Sequence, residues 1–205
     1  MKTKILLILL AAFAFSFTSC EDTKKKEEEK AKMEQAEAER QAEMQAEEER
    51  MEMESNSIAA KAMATDSLST LVSALQNADL ATTFTEDEGP YTVFAPTNSA
   101  FEKVDKATLD ELMKSENKDQ LATVLKYHVI DDEITASDLS QMIEDGDGVA
   151  SFSTMDGAEL KAMMDGDNIV LQDENGNKAT IIATDIEASN GMVHLIDAVV
   201  MKKAS

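Results

Sequence analysis

Between Glu21 and Glu54 the chain has no glycine, proline, leucine, isoleucine or valine, and Thr23 is its only β-branched residue. Such a stretch has almost nothing from which to build a core, and nearly every residue in it favours a helix. It carries 14 acidic and seven basic side chains. Several stand at helical spacing: Glu28 with Lys32, Glu37 with Arg40, Glu47 with Arg50 and Arg50 with Glu54. Each such pair adds only about 0.2–0.5 kcal/mol. The apolar positions (Ala31, Met33, Ala36, Ala38, Ala42, Met44, Ala46, Met51 and Met53) hold no a/d heptad. A solvated single helix is therefore expected, with a coiled-coil oligomer as the alternative, and a globular fold must come from the residues that follow. The expected division is 1–19, 20–55 and 56–203.

Upstream, Met1 to Cys20 reads as a secretory signal. Lys2 and Lys4 supply the positive start, and Ile5 to Phe17 form an apolar run broken only by Ser16. A bilayer-spanning helix takes about 20 apolar residues, so the run is too short to be one. Phe17-Thr18-Ser19-Cys20 resembles a bacterial lipobox. The resemblance implies removal of residues 1–19 and acylation of Cys20, palmitate included, and Cys20 is the only cysteine in the chain. Several acyl chains on one residue would hold the protein at a membrane, at ~0.8 kcal/mol per buried methylene. Glu21-Asp22 resembles the acidic export signals of some Gram-negative surface lipoproteins. An outer-membrane anchor is expected, with display at the cell surface favoured over the periplasmic side. As a helix at ~1.5 Å per residue, the charged segment would be a spacer of ~50 Å.

Charge and composition exclude several classes. The 41 acidic residues outnumber the 19 basic ones for a net charge of −22, which disfavours nucleic acid as a partner, because binding phosphate needs a basic face. One cysteine cannot close an intramolecular disulfide, and with two histidines it falls short of a zinc site. The absence of tryptophan weakens any reading that needs a flat aromatic platform for sugars. No cofactor is expected.

Apolar periodicity begins near Asn56. Ser57 to Ala64 reads as a helix. So does Ser67 to Asn77, with Asp66 as its N-cap and Leu68, Leu71, Val72 and Leu75 on one face. A short turn is expected over Ala78 to Phe84. Tyr91 to Ala95 is a β-type run stopped by Pro96, after which Thr97 or Asn98 starts a helix carrying Phe101. Further helices are expected over Thr108–Met113, over Lys118–His128 with Asn117 and Gln120 as a capping box, and from Ser137 through Ile143. The period then changes. Val149–Met155 and Ala158–Met163 flank the hairpin signal Asp156-Gly157, and Asn168–Gln172 and Lys178–Ala183 flank a second turn. A last strand is expected over Met192–Met201. Helices first and strands later give an α+β class.

Three segments together resemble the fasciclin-type domain. Tyr91-Thr92-Val93-Phe94-Ala95-Pro96-Thr97-Asn98-Ser99-Ala100-Phe101 matches the family's T-V-F-A-P-T-N-x-A-F motif. Leu125-Lys126-Tyr127-His128-Val129 matches its Tyr-His motif. Ser189-Asn190-Gly191-Met192-Val193-His194-Leu195-Ile196-Asp197-Ala198-Val199-Val200 matches its N-G-x-x-H-x-I-D-x-V segment. The resemblance covers about residues 56–202. One departure stands at the end, where Met201-Lys202-Lys203 replaces the family's usual proline. The resemblance implies a β-rich wedge with packed helices, used in adhesion and matrix binding, with no catalytic residues. The Tyr-His segment resembles a receptor-contact region of animal members.

On their own chemistry the motif residues read mainly as structural. Val93 and Phe94 face opposite sides of one strand, so both sides are expected to be covered. In the last strand both alternating sets are apolar apart from His194 and Asp197, which marks an interior strand. Buried, each needs a partner: backbone amides or the Thr97 hydroxyl for Asp197, and a group other than Asp197 for His194. His128 at a helix C-terminus is expected to bond a terminal carbonyl and to suit the helix dipole. Asp145-Gly146-Asp147-Gly148, Asp165-Gly166-Asp167-Asn168 and Asp173–Asn177 all miss the calcium-loop spacing, so they are read as turns and no metal is assigned. The leading functional expectation is a non-enzymatic, membrane-anchored binding lipoprotein, monomeric, contacting a protein or polysaccharide at the cell surface. A periplasmic accessory lipoprotein is the alternative. A hydrolase using His128 or His194 is third, unsupported by any G-x-S-x-G pattern.

Overall fold

A computed structural model describes residues 21–86 and 89–203. Cys20 and the signal segment lie outside them. The chain divides into two compact units, one ending at Glu47 and one starting at Glu48. Helix α1 (Glu21–Ser55) runs through the division and holds the charged segment. Lys30–Glu34 and Arg50–Glu54 pair at 3.8 Å along it with exposed side chains, too open to add much stability.

The head opens with short helices: α2 (Ile58–Met63), α3 (Ser69–Asn77) and α4 (Thr83–Glu86). Strand β1 (Tyr91–Pro96) leads into α5 (Asn98–Glu102), α6 (Lys106–Leu112) and α7 (Lys118–Tyr127). After β2 (Val129–Ile130) and α8 (Ala136–Asp145) come the hairpin strands β3 (Val149–Ser153), β4 (Glu159–Asp165), β5 (Asn168–Gln172), β6 (Lys178–Ala188) and β7 (Gly191–Ile196). They form one sheet in the order β2-β1-β7-β6-β5-β4-β3. The β1–β7 pair is parallel and every other pair antiparallel. Just past β3 the Met155 amide donates to the Val129 carbonyl of β2 at 2.8 Å, so the sheet curls into a barrel-like form.

The sheet separates two apolar cores. Val93, Ala95 and Val193 face the helical layer with Leu68, Leu71, Phe84 and Leu125. Phe94 and Ile196 face the other way, into the curled sheet with Leu160, Leu171 and Leu139 of α8. Val93 and Phe94 are thus covered on opposite sides, as strand alternation predicts.

Several ends differ from the sequence reading. Asp66 opens a 3₁₀ turn (Asp66–Leu68) instead of capping a helix. The cap of α3 arrives from far along the chain, where Asn98 Oδ1 accepts from the Thr70 amide at 2.9 Å. Asn117 makes no cap bond; its amide turns back to the Glu111 carbonyl at 2.8 Å. Thr135, not Ser137, caps α8, in a reciprocal box with Asp138. The last strand stops at Ile196. Beyond it the Asp197 amide still donates to the Thr180 carbonyl at 3.1 Å, but the Thr180 amide goes to Asp197 Oδ1 at 2.7 Å, so a side chain completes the rung.

Candidate functional site

The β1–β7 pairing brings the first and third motifs together. Their residues are in register from Tyr91 opposite Gly191 to Pro96 opposite Ile196. Thr92 is fully buried; its hydroxyl donates to the Asp132 carbonyl at 2.6 Å and accepts the Ile134 amide at 2.8 Å. That pins the segment before α8 to β1. Thr97 caps α5 by accepting the Ala100 amide at 3.3 Å, and α5 carries Ala100 and Phe101 into the interior. The Asn98 amide group also donates to the Asp66 carbonyl at 3.1 Å, which ties α5 to the start of α3.

Asn190 is buried and acts as a bracket. Its Oδ1 accepts the Ile58 amide at 2.9 Å, and its Nδ2 donates to the Phe84 carbonyl at 3.0 Å. Gly191 follows with φ +145, and a Cβ there would stand 1.9 Å from the Tyr91 carbonyl oxygen. Only glycine lets the two strands approach so closely.

Both histidines are buried with each ring nitrogen bonded to backbone. His194 Nε2 donates to the Ile134 carbonyl at 2.9 Å, and Nδ1 accepts the Asp185 amide at 3.2 Å. Its ring stacks on Phe94 with centroids 5.7 Å apart. His128 Nδ1 donates to the Val124 carbonyl at 2.8 Å, and Nε2 accepts the Val200 amide at 3.3 Å. Each ring therefore sits as a neutral tautomer. Burial pushes His128 down to about 4, against the opposing bond to Val124. Burial also pulls His194 below its ordinary value, with the Ile134 bond and the Asp185 charge opposing. The expected carbonyl bond of His128 is present, but a neutral ring contributes nothing to the helix dipole.

Asp197 accepts a backbone amide as expected, that of Thr180, but it is partly exposed, does not meet the Thr97 hydroxyl, and also bonds Lys103 Nζ at 3.1 Å. Partial burial pulls its carboxyl up, but the Thr180 amide and Lys103 outweigh this and hold it below the usual carboxylate range. Tyr127 is fully buried, donates its hydroxyl to the Glu159 carbonyl at 2.7 Å, and is pushed up to about 12, chiefly by burial. The Tyr127-His128 pair thus offers no surface for a receptor in this fold.

Two acidic residues that the sequence reading did not single out for these roles also organise the head. The Asp173 carboxylate accepts from the Asn175 and Asn177 amides, the Asn177 side chain and the Met201 amide, at 2.8–3.1 Å. That turn fills its own acceptors, as the D-E-N-G-N pattern suggests. Asp185, at φ +57, sits in a bulge of β6 and accepts the Ala136 amide at the start of α8 at 2.8 Å. No sequence signal marks it.

What remains accessible is surface. An open polar cleft of about 440 Å³ lies among Lys161, Gln172, Glu174 and Lys203. A groove of about 340 Å³ beside α5 and α6 has Phe101, Val104 and Leu109 in its lining. Among the described residues no group of three or more His, Cys, Asp or Glu is placed to hold a metal ion.

The fasciclin-domain family model matches residues 66–202. Protein sll1483 of Synechocystis is 38% identical over 149 residues, covering 71% of this chain and 73% of that protein. The cell surface glycolipoprotein MPB83 of Mycobacterium bovis is 35% identical over 150 residues, covering 72% of this chain and 61% of that protein. The FAS1 domain pair of the insect cell adhesion molecule fasciclin I aligns with a TM-score of 0.65 at 16% identity. It covers 72% of this chain and 51% of that one, a likeness of fold.

Proposed function

The chain belongs to the fasciclin-domain family, and from that premise we propose that it is a lipid-anchored, non-enzymatic adhesion lipoprotein. The fasciclin domain is an adhesion-type domain. In this reading Cys20 carries the lipid, α1 is the spacer and the head contacts a protein or polysaccharide outside the outer membrane. The observation that carries the reading is the chemistry of the motifs. The polar groups of Thr92, Asn190, His128 and His194 are buried and bonded within the head. They hold strands and helices together and leave recognition to the surface. The kinship with a protein named a cell surface glycolipoprotein supports display at the envelope. Many copies on one membrane would strengthen individually weak contacts.

The test is protease digestion of intact cells, with a periplasmic lipoprotein as control, beside metabolic labelling with a palmitate analogue. Digestion of the head with the control intact, and label lost in Cys20→Ala, is the expected result. Protection until the outer membrane is permeabilised would replace surface adhesion by a periplasmic accessory role. Label that persists in Cys20→Ala would remove the lipid anchor.

A further inference from the structure

Strand β3 is the terminal strand of the sheet and pairs only with β4. The Thr154 amide bonds the Ala158 carbonyl at 2.9 Å, which fixes the alternation of this hairpin. Phe152 and Ala150 then face β4 with their backbone groups, while Ser153 and Ser151 turn theirs to the open edge. Met155, on that same edge, is the point where the chain bonds β2. Ser151 and Ser153 have no backbone partner there among the described residues. Both are exposed, and a shallow hollow of about 290 Å³ runs beside them to Glu159.

Edge strands are commonly guarded by lysine, proline, a bulge or a covering element. Val149-Ala150-Ser151-Phe152-Ser153 has no charge and no proline, and its pairing with β4 is regular. The surroundings are mostly acidic, with Lys161 opposite Ser151 in register and Lys202 paired to Asp156 at 3.2 Å as the cations beside the hairpin. From Tyr127 to Leu160 the chain contains nine carboxylates and no lysine or arginine. Glu144, Asp145 and Asp147 stand exposed before β3 and Glu159 beyond its hairpin. Lys161, the first cation after them, is paired with Glu159 at 3.3 Å.

We propose that the β3 edge is a docking site for an extended, cationic segment of a partner protein, which adds as an eighth strand. Backbone bonds to Ser151 and Ser153 supply the pairing. Basic side chains at the ends of the segment meet Asp147 and, in competition with Lys161 and the Ser151 hydroxyl, Glu159, and small or β-branched ones lie between. A second copy of this chain would bring its own Glu144, Asp145 and Asp147 to the same edge and is repelled. The proposal rests on the contact-module reading and names its partner class.

The probe is a capped peptide, Lys-Thr-Val-Thr-Val-Thr-Lys, titrated into the full chain. A glutamate-ended version serves as control. Saturable binding that weakens with salt, with slowed amide exchange at Ser151 and Ser153, is expected. Ser151→Pro removes one edge donor without touching the β4 ladder, and should weaken binding about tenfold or more. Should that variant unfold, Ser153→Lys keeps every backbone group and should weaken the lysine peptide while favouring the glutamate one. Unchanged exchange at Ser151 and Ser153, equal binding of both peptides, or self-association protecting the same amides would overturn the proposal. Attachment of whole cells is scored with the same variants. Attachment that persists in a variant deaf to the peptide sinks the edge and leaves surface contact standing. Peptide binding without attachment by the unaltered chain supports the edge and removes the adhesive role.

Discussion

The backbone amide of Val200 points at Nε2 of His128, 3.3 Å away, and only an unprotonated nitrogen can receive it. Protonation would set one N–H against another. Burial holds the folded ring at about 4, below the ordinary 6.5 of histidine, so between those values the unfolded chain binds more protons than the folded one. Stability is therefore highest above about pH 6.5 and falls as pH drops towards about 4. From about pH 7 to about pH 5 the loss from His128 is about 2 kcal/mol. Urea denaturation at several pH values measures it. His128→Gln should lower stability at neutral pH and flatten the dependence in that window. An unchanged slope would remove His128 as its source.

Gly191 and Gly176 both have positive φ, +145 and +84, yet they should respond differently to alanine. A Cβ at 191 meets the Tyr91 carbonyl, whereas one at 176 meets only the end of Gln172 at 4.0 Å. Gly176→Ala should cost about 1–2 kcal/mol, from backbone strain alone. Gly191→Ala should cost more than about 4 kcal/mol or abolish folding. Thermal melts of the two variants decide; equal losses would mean the strands part easily.

Asn190→Ala leaves the Ile58 amide and the Phe84 carbonyl without their partner inside the head. A loss of about 2–4 kcal/mol follows, from two orphaned buried groups. Amide exchange at Ile58 should rise more than the global loss explains, because α2 is released locally. Exchange raised evenly everywhere would contradict that.

Lys103 and Asp197 make an exposed ion pair, with side chains 57% and 36% accessible. Lys103→Ala should cost below about 1 kcal/mol. Asp197→Ala should cost about 1–3 kcal/mol because it also orphans the Thr180 amide. A double-mutant cycle separates the two. A coupling as large as the whole Asp197 effect would make the ion pair, and not the amide bond, its main role.

The motif strand, the hairpins and the α+β class were legible because each is written locally. Tyr91–Ala95 is stopped by Pro96, and Asp156-Gly157 marks a turn between two alternating runs. The burial of Phe94 and His194 followed from alternation within the interior strand. The partners of polar groups were not legible. Asn98 caps α3 from 28 residues away, and Asp185 reaches Ala136 across 49. Those pairings exist only once the sheet has closed, and no local pattern encodes them. Asp197 resembled a buried group because its neighbours are apolar, but the strand ends just before it and turns it outward.

The bracket at the start of β7 also fixes where the chain enters the head. The Met53 carbonyl in the last turn of α1 and the Asn56 carbonyl just beyond it accept from Ser189, and the Ile58 amide is held by Asn190. A pull applied at residues 53–58 is therefore delivered beside the central β1–β7 seam, not to the free edge at β3. Paired strands loaded along their length must shear, several rungs failing together, whereas a load across them peels one rung at a time.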